Sequence, residues 1–559
     1  MSFLEAVKAV FYGERFEPAD AVQRNLLERI ATLPKLTGIL PYLGWMGDEG
    51  LYVLDQGAFG DNPGLSMGFC IETVPQTGSN EEMERVLASL FMSCPAGTGI
   101  QISLYASPHI LPSLKEQANM LPVDEIASGD EESNRNRNIY RVLGRRRIDH
   151  YLKGAGKSLF AHHVYLLRDY RCVIAITMPL DPESPADVEE AIRIKESTHA
   201  TLRSAHMPGW DWGPESLLNY VADFFDHERV LGQPEDRHIE YDSSRSLRSQ
   251  VSNPEIASAV ADTFIKYRKE GGAETALQCF SVRQYPKYYR LGNMGSLIGD
   301  YYQMALAIPC PFLITMGAIL LDYESARSKA LIKAARATQA AGSYMSHFQP
   351  DLQDRKRDWD MVLRAFDNGR NVVQMYHQIV LLSRIEDVAR TEHAVRAVWR
   401  ARGFDLAKDV YLQHQAFVAS MPCTLSPALQ RDLQLFGRAG TKTADNAVMT
   451  SPLIAEWKGT VTPVMTLFGR RGQIMTFDLF DNTGGNYNFA VAALSGSGKS
   501  VFVNEMAFRY LGTGTKVWII DVGRSYRNLS ELLDGEFIEF SDERTNTICL
   551  NPFSMVVDI

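Results

Sequence analysis

The stretch Ala493-Leu-Ser-Gly-Ser-Gly-Lys-Ser500 decides how this chain is read. Its spacing is that of a phosphate-binding loop, A/G-x-x-x-x-G-K-S/T. Ahead of it Asn488-Phe-Ala-Val-Ala492 reads as an apolar strand. Behind it Val503, Met506, Ala507, Tyr510 and Leu511 recur at helical spacing until Gly512-Thr-Gly514 stops the helix. The residue types follow from the chemistry. Gly496 and Gly498 let the loop curl so that successive backbone N–H groups, with those of Ala493, Ser495 and Ser497, face phosphate oxygens. The helix adds its unpaired N–H groups and the positive end of its dipole. Lys499 is placed to bridge the β- and γ-phosphates, and the Ser500 hydroxyl to complete a Mg²⁺ shell. These residues predict ATP and Mg²⁺ as ligands. Ala493 stands where glycine is common, which requires an ordinary negative φ there.

The 559 residues suggest three or four domains. A hydrophobic share of 45% and a charged share of 22% are those of a globular protein with real cores. The net charge of -10 speaks against a surface that wraps nucleic acid throughout. The seven cysteines are scattered, never in C-x-x-C spacing, and read as reduced, buried small hydrophobes. No secretory signal is visible, and the longest uncharged run, Tyr301 to Leu321, is broken by Pro309 and Pro311, so a soluble protein is expected. His162-His163, His377 and His393 are too dispersed for metal ligation.

Along the chain, Leu51–Leu54, Leu65–Ile71 and Ile100–Tyr105 read as strands, and Glu81–Phe91 as a helix. Gly64-Leu-Ser-Met-Gly68 matches the spacing of a hydrolase nucleophile elbow, but Ser66 opens a strand instead of turning into a helix. Arg135, Arg137, Arg141, Arg145, Arg146, Arg147, Lys153 and Lys157 form a basic run. It reads as the solvated face of a helix, or as a surface for anionic lipid or an acidic partner. Val164–Leu167 and Cys172–Thr177 read as a strand pair, Pro185–His206 as a helix, and 232–254 as a polar connection and candidate internal boundary. Further on, Glu324–Met345, Gln353–Asn368 and Glu386–Arg402 read as helices, and Val372–Leu382 and Tyr411–Ser420 as strands. No repeat of fixed period stands out.

After the phosphate loop, Lys516-Val-Trp-Ile-Ile-Asp521 reads as a strand ending in an acid. A short helix (Leu529, Leu532, Leu533), Phe537-Ile-Glu-Phe540 and Ile548–Phe553 follow. This order resembles the conjugative type IV secretion ATPases, specifically the TraC branch of F-like transfer systems. Gly50-Leu-Tyr-Val, Ser66-Met-Gly-Phe and Pro95-Ala-Gly-Thr-Gly-Ile-Gln101-Ile are similar to that family's opening α/β domain. The resemblance implies an α/β docking region over 1–460, then the start of a RecA-like P-loop NTPase domain over 461–559, truncated at its C-terminus. It implies a cytoplasmic ATP-binding component, peripheral at the inner membrane. Its partners there would be other secretion components, with nucleic acid met only indirectly and ring-like self-association in the full-length form. It would energise pilus assembly and DNA transfer. Asp521 is placed either near the nucleotide or as a cap of the Val522-Gly523 turn. Met555–Asp558 follows too soon to serve as the apolar strand and acid that hydrolysis needs, so no catalytic residue is assigned and hydrolysis is expected to need residues beyond 559. A non-hydrolytic assembly component and a DNA-translocating P-loop motor are the alternatives.

Overall fold

A computed structural model describes residues 36–55, 64–120, 131–159, 165–232, 238–251, 253, 255–269, 271–303, 305–343, 349, 351–482 and 484–539, with the backbone alone at 131–138. His162-His163, Cys549, Ile548–Phe553 and Met555–Asp558 lie outside the described residues. The chain divides into two compact units. Unit 1 takes 36–111, 150–458 and 468–475, and unit 2 takes 112–149, 459–467 and 476–539 of the described residues.

Unit 1 is built on one sheet of thirteen strands among the described residues. Its strands are β1 (Tyr42–Met46), β2 (Leu51–Asp55), β3 (Leu65–Thr73), β4 (Gly99–Ser107), β5 (Asp169–Met178), β6 (Gly209–Asp211), β7 (Ile256–Val260), β8 (Ile265–Lys269), β9 (Thr275–Gln284), β10 (Phe312–Leu320), β11 (Val372–Arg384), β12 (Asp405–Lys408) and β13 (Gly440–Thr443). The long central strands are near-continuous apolar runs because both faces of the sheet are covered. Along β10, Phe312, Ile314, Met316 and Ala318 enter one buried cluster, while Leu313 enters another on the opposite face. The helices that matter below are α1 (Glu81–Ala88), α2 (Leu111–Asn119), α3 (Glu131–Gly156), α4 (Pro185–Ser204), α5 (Tyr323–Ala341), α6 (Asp351–Asp367), α7 (Val388–Arg400), α8 (Gln413–Ser420), α9 (Lys499–Gly512) and α10 (Arg527–Leu532).

The strand order β1-β2-β3-β5-β4-β10-β11-β9-β8-β7 reads alike from its centre in both directions. Outward from the antiparallel pair β4–β10 run β5, β3, β2, β1 on one side and β11, β9, β8, β7 on the other. Short β6 pairs with β3 as β12 pairs with β9. A helical connection, α2–α3, joins β4 to β5, and α5–α6 joins β10 to β11. Then α4 follows β5 as α7 follows β11. The sheet is thus a topological duplication, absent from the linear text because the two halves share pairing order and not residue period.

Two other expectations are corrected. Leu166 and Leu167 form no strand: only Arg168 bridges, to Gln473. Tyr411–Ser420 is not a strand but α8, in which Gln413 is buried along with Ala416–Ser420, so polarity does not mark an exposed face and the period cannot be read from it. The sheet explains why a helix is stable there. The last carbonyls of a helix lack intrahelical donors, and sheet side chains supply them. Tyr376 Oη donates to Ala419 O at 2.7 Å, Thr315 Oγ1 to Ser420 O at 3.0 Å, and Gln101 Nε2 to Ala419 O and Met421 O at 3.0 and 2.8 Å. Ser66 is buried within β3, with no helix following, so the elbow reading falls. No helix among the described residues is long and apolar enough to cross a membrane, and Phe312–Leu320 is β10.

His377 is fully buried. Its Nε2 donates to Thr450 O at 2.7 Å, which leaves Nδ1 to accept from Tyr285 Oη at 3.0 Å. Burial, with Lys442 nearby, pushes it from the ordinary 6.5 down to about 4, and burial pushes His227 down to about 3. A depressed histidine stabilises the fold fully above 6.5, and that stability is lost as pH falls through the folded value. The midpoint of urea unfolding is therefore expected to fall between pH 7 and pH 5, with His377 contributing about 2 kcal/mol. Paired titrations of wild type and His377→Gln check this: the variant should lose the part of the slope owed to one proton.

Candidate nucleotide-binding site

Unit 2 holds the phosphate loop. Its α9 is anchored by its C-terminal half: Tyr510 is buried with Val464 and Met465, and Phe502, Met506, Leu479 and Val517 pack on that cluster. Tyr510 Oη donates to Asp478 Oδ1 at 2.8 Å and accepts from the Leu479 N–H at 2.5 Å. The N-terminal end is open. Ala493, Ser495, Gly496, Ser497, Gly498, Lys499 and Ser500 are all exposed.

The loop has the geometry its glycines require. Gly496 and Gly498 take φ of 77° and 97°, while Ala493 is not among the residues with positive φ. A Cβ on either glycine would meet nothing within 4 Å, so glycine is needed there for backbone freedom and not for room. Ser497 donates from N and Oγ to Leu494 O at 3.2 and 2.6 Å, closing a turn within the loop. Gly498 caps α9 without a side chain, and the Phe502 N–H to Gly498 O bond at 2.9 Å is the first of the helix. The N–H groups of Lys499, Ser500 and Val501 are thereby left for an anion, with the helix dipole behind them and Lys499 as the first residue of the helix. This donor set fits a polyphosphate.

Asp521 Oδ2 accepts from the Ser525 N–H at 3.1 Å, so its carboxylate caps the turn that follows it. Asn504, which the sequence reading passed over, donates from Nδ2 to Ser500 O at 2.9 Å and to Ser525 O at 3.2 Å. It ties the Asp521 turn to the P-loop helix. The flanks at 488–492, 516–521 and 537–539 form no strand and make no ladder among the described residues. Ile520 and Val522 stand fully exposed at 102% and 104%. Strand propensity alone does not make a strand without a partner to receive its N–H and C=O groups.

The larger surprise is a helix from the other end of the chain. The basic run lies on α3, save Lys157 just after it, and the helix segment 131–149 belongs to unit 2. Arg147 is only partly exposed: its guanidinium pairs with Glu505 of α9, Nη2 donating to Oε2 at 2.7 Å and Nη1 lying 2.5 Å from Oε1. Tyr140 stacks on Phe508 with ring centroids 4.7 Å apart. Arg145 and Arg146 are exposed, as a solvated helix face predicts. No cluster of His, Cys, Asp and Glu able to hold a metal occurs among the described residues.

A Gly-rich loop that opens a helix with Gly-Lys-Ser defines a P-loop nucleotide-binding protein of mixed α/β fold. Residues 469–558 match the family described as TraG P-loop domain. Residues 36–425 match the family described as TraC protein, and the chain belongs to that family. Protein TraC of Escherichia coli (strain K12) is 22% identical over 556 residues, which cover 97% of this chain and 60% of that protein. The chain thus spans 60% of the length of this relative.

Proposed function

We propose that this chain is the nucleotide-binding portion of a conjugative type IV secretion ATPase, loaded with ATP and Mg²⁺ at the loop Ala493–Ser500. The observation that carries the reading is the glycine-capped start of α9, with Lys499 beside free N–H groups. In this reading the loop amides and Lys499 take the phosphates, and Ser500 offers its hydroxyl to Mg²⁺. The bound metal would neutralise phosphate charge. Asn504 and the Asp521 turn would hold the neighbouring segment in place. Residues 1–460 serve as the docking region and 461–559 as the nucleotide domain, with α3 lent to the latter. Membership of the TraC family supports placing the protein at the inner-membrane face of a secretion channel. There it acts with other components of the system, as a homo-oligomeric ring in the full-length protein, to drive pilus assembly and DNA transfer.

Equilibrium binding of a fluorescent ATP analogue with Mg²⁺ tests this. A lost charge-assisted contact is worth roughly 1.5–3 kcal/mol, so Lys499→Ala is expected to bind about 10- to 100-fold more weakly than wild type. Equal affinities for the two proteins would remove the P-loop from the account.

A further inference from the structure

The P-loop helix is held from two sides. Its Tyr510 side is buried in unit 2's own small core. Its Glu505–Phe508 side is held by α3, which reaches it from the β4–β5 connection of the duplicated sheet. In the other half of the duplication the matching connection, α5–α6, remains with unit 1. One of two topologically equivalent helical connections has therefore been given over to the nucleotide domain. The helix is continuous: α3 runs from Glu131 to Gly156, with 131–149 in unit 2 and 150–156 in unit 1.

The contact is specific in its chemistry. The Glu505 carboxylate is shared between Arg147 of α3 and Arg509 one turn along α9, whose Nε donates to Glu505 Oε1 at 2.7 Å. Arg147 Nη2 donates the charge-assisted hydrogen bond, from a planar guanidinium whose geometry a lysine would not reproduce. Phe508, against Tyr140 of α3, and Arg509, against Glu505, are only 6% and 5% exposed. Lys499 and Ser500 begin the same α9 that carries Glu505 and Phe508. A rigid helix of 14 residues places the phosphate end and the α3-bound end on one body.

We propose that α3 is a nucleotide-sensing arm of the N-terminal region, and that Arg147 and Tyr140 are positioning residues for the P-loop helix. ATP bound at Lys499–Ser500 holds α9 in the orientation that α3 grips. The gripped helix in turn presents its free N–H groups to phosphate. Coupling of this kind is reciprocal: whatever factor α3 docking adds to ATP affinity, ATP adds to α3 docking. The inference rests on the nucleotide-binding reading above.

The test uses the full chain, with a fluorescent ATP analogue and Mg²⁺ as the probe and amide hydrogen exchange as a second readout. Arg147→Ala and Tyr140→Ala are each expected to weaken binding by about fivefold or more, the lower end of measured couplings. Tyr140→Phe, which keeps the ring stack, is expected to stay within about twofold of wild type. ATP should slow exchange of the 139–149 amides in wild type and do so less in Arg147→Ala. A purely structural contact would leave that exchange unmoved by ATP. If wild type binds ATP while the alanine variants bind within twofold of it and exchange at 139–149 does not change, the arm is only a brace. If wild type binds no ATP, the nucleotide reading itself fails and the arm with it. Should Arg147→Ala fail to fold, the wild-type exchange experiment alone decides.

Discussion

Gly317→Ala is expected to cost unit 1 about 3 kcal/mol, the upper end of ordinary overpacking. Gly317 lies mid-strand in β10, opposite Tyr376 of β11 and Gln101 of β4. The missing Cβ is what lets the Tyr376 side chain pass so close over the strand: a Cβ there would clash with Tyr376 Cζ, Cε1 and Oη. The ring cannot swing aside cheaply. It is 1% exposed, and its hydroxyl donates to Ala419 O at 2.7 Å and accepts from Gln101 Nε2 at 3.3 Å. Displacing it would strip α8 of a donor at its buried C-terminus as well as disturb packing. Urea unfolding of the single and double variants checks the mechanism. Gly317→Ala with Tyr376→Ala should be less damaging than the sum of the two by about 1 kcal/mol or more. Strict additivity would show that ring overlap is not the cause.

Glu72→Ala is expected to be at least as severe, at about 3–5 kcal/mol, because it strands a buried charge. Glu72 of β3 has a side chain only 7% exposed. It accepts from Arg171 Nε and Nη2 at 2.9 and 2.6 Å and from Trp212 Nε1 at 2.8 Å. The Arg171 guanidinium is itself stacked 5.4 Å from the Trp212 ring centre and 5.7 Å from that of Tyr220. Removing the carboxylate leaves the Arg171 cation, whose side chain is mostly covered, and the buried Trp212 indole N–H without their acceptor. Pairing Glu72→Ala with Arg171→Met should recover about 1 kcal/mol or more, since an apolar pair no longer bears the desolvation cost. A double variant no more stable than Glu72→Ala would assign the loss to packing and not to the stranded charge. The buried Trp212 beside Gly213 and Pro214 thus caps a core, and its indole N–H also completes the acceptor set of Glu72.

The candidate site was legible in the sequence to the extent that it is local. Gly496, Gly498 and the apolar spacing of α9 set φ and helix start within a dozen residues, and the structure realises both. Asn504 was not legible. A polar residue on a helix face says nothing of a partner such as Ser525, and only the bond to its carbonyl shows the tie. Arg147 was legible as charge but not as contact. Within a run of arginines, sequence does not say which one meets a carboxylate 358 positions away.

By itself, then, the sequence determined what depends on neighbours in the chain. The phosphate loop, the long helices at 185–204, 323–341 and 351–367, and the apolar strands β3, β4, β5 and β11 all follow from local backbone preference and periodicity. Tertiary structure decided what depends on partners far apart. It paired β4 with β10 across more than 200 residues, making two halves of one sheet that share no period. It turned the largely buried Gln413–Ser420 into a helix by supplying side-chain donors for its last carbonyls. It also assigned 131–149 to the nucleotide unit. In each case the deciding term is a hydrogen bond or ion pair that exists only once two distant segments have been brought together, and no local pattern encodes it.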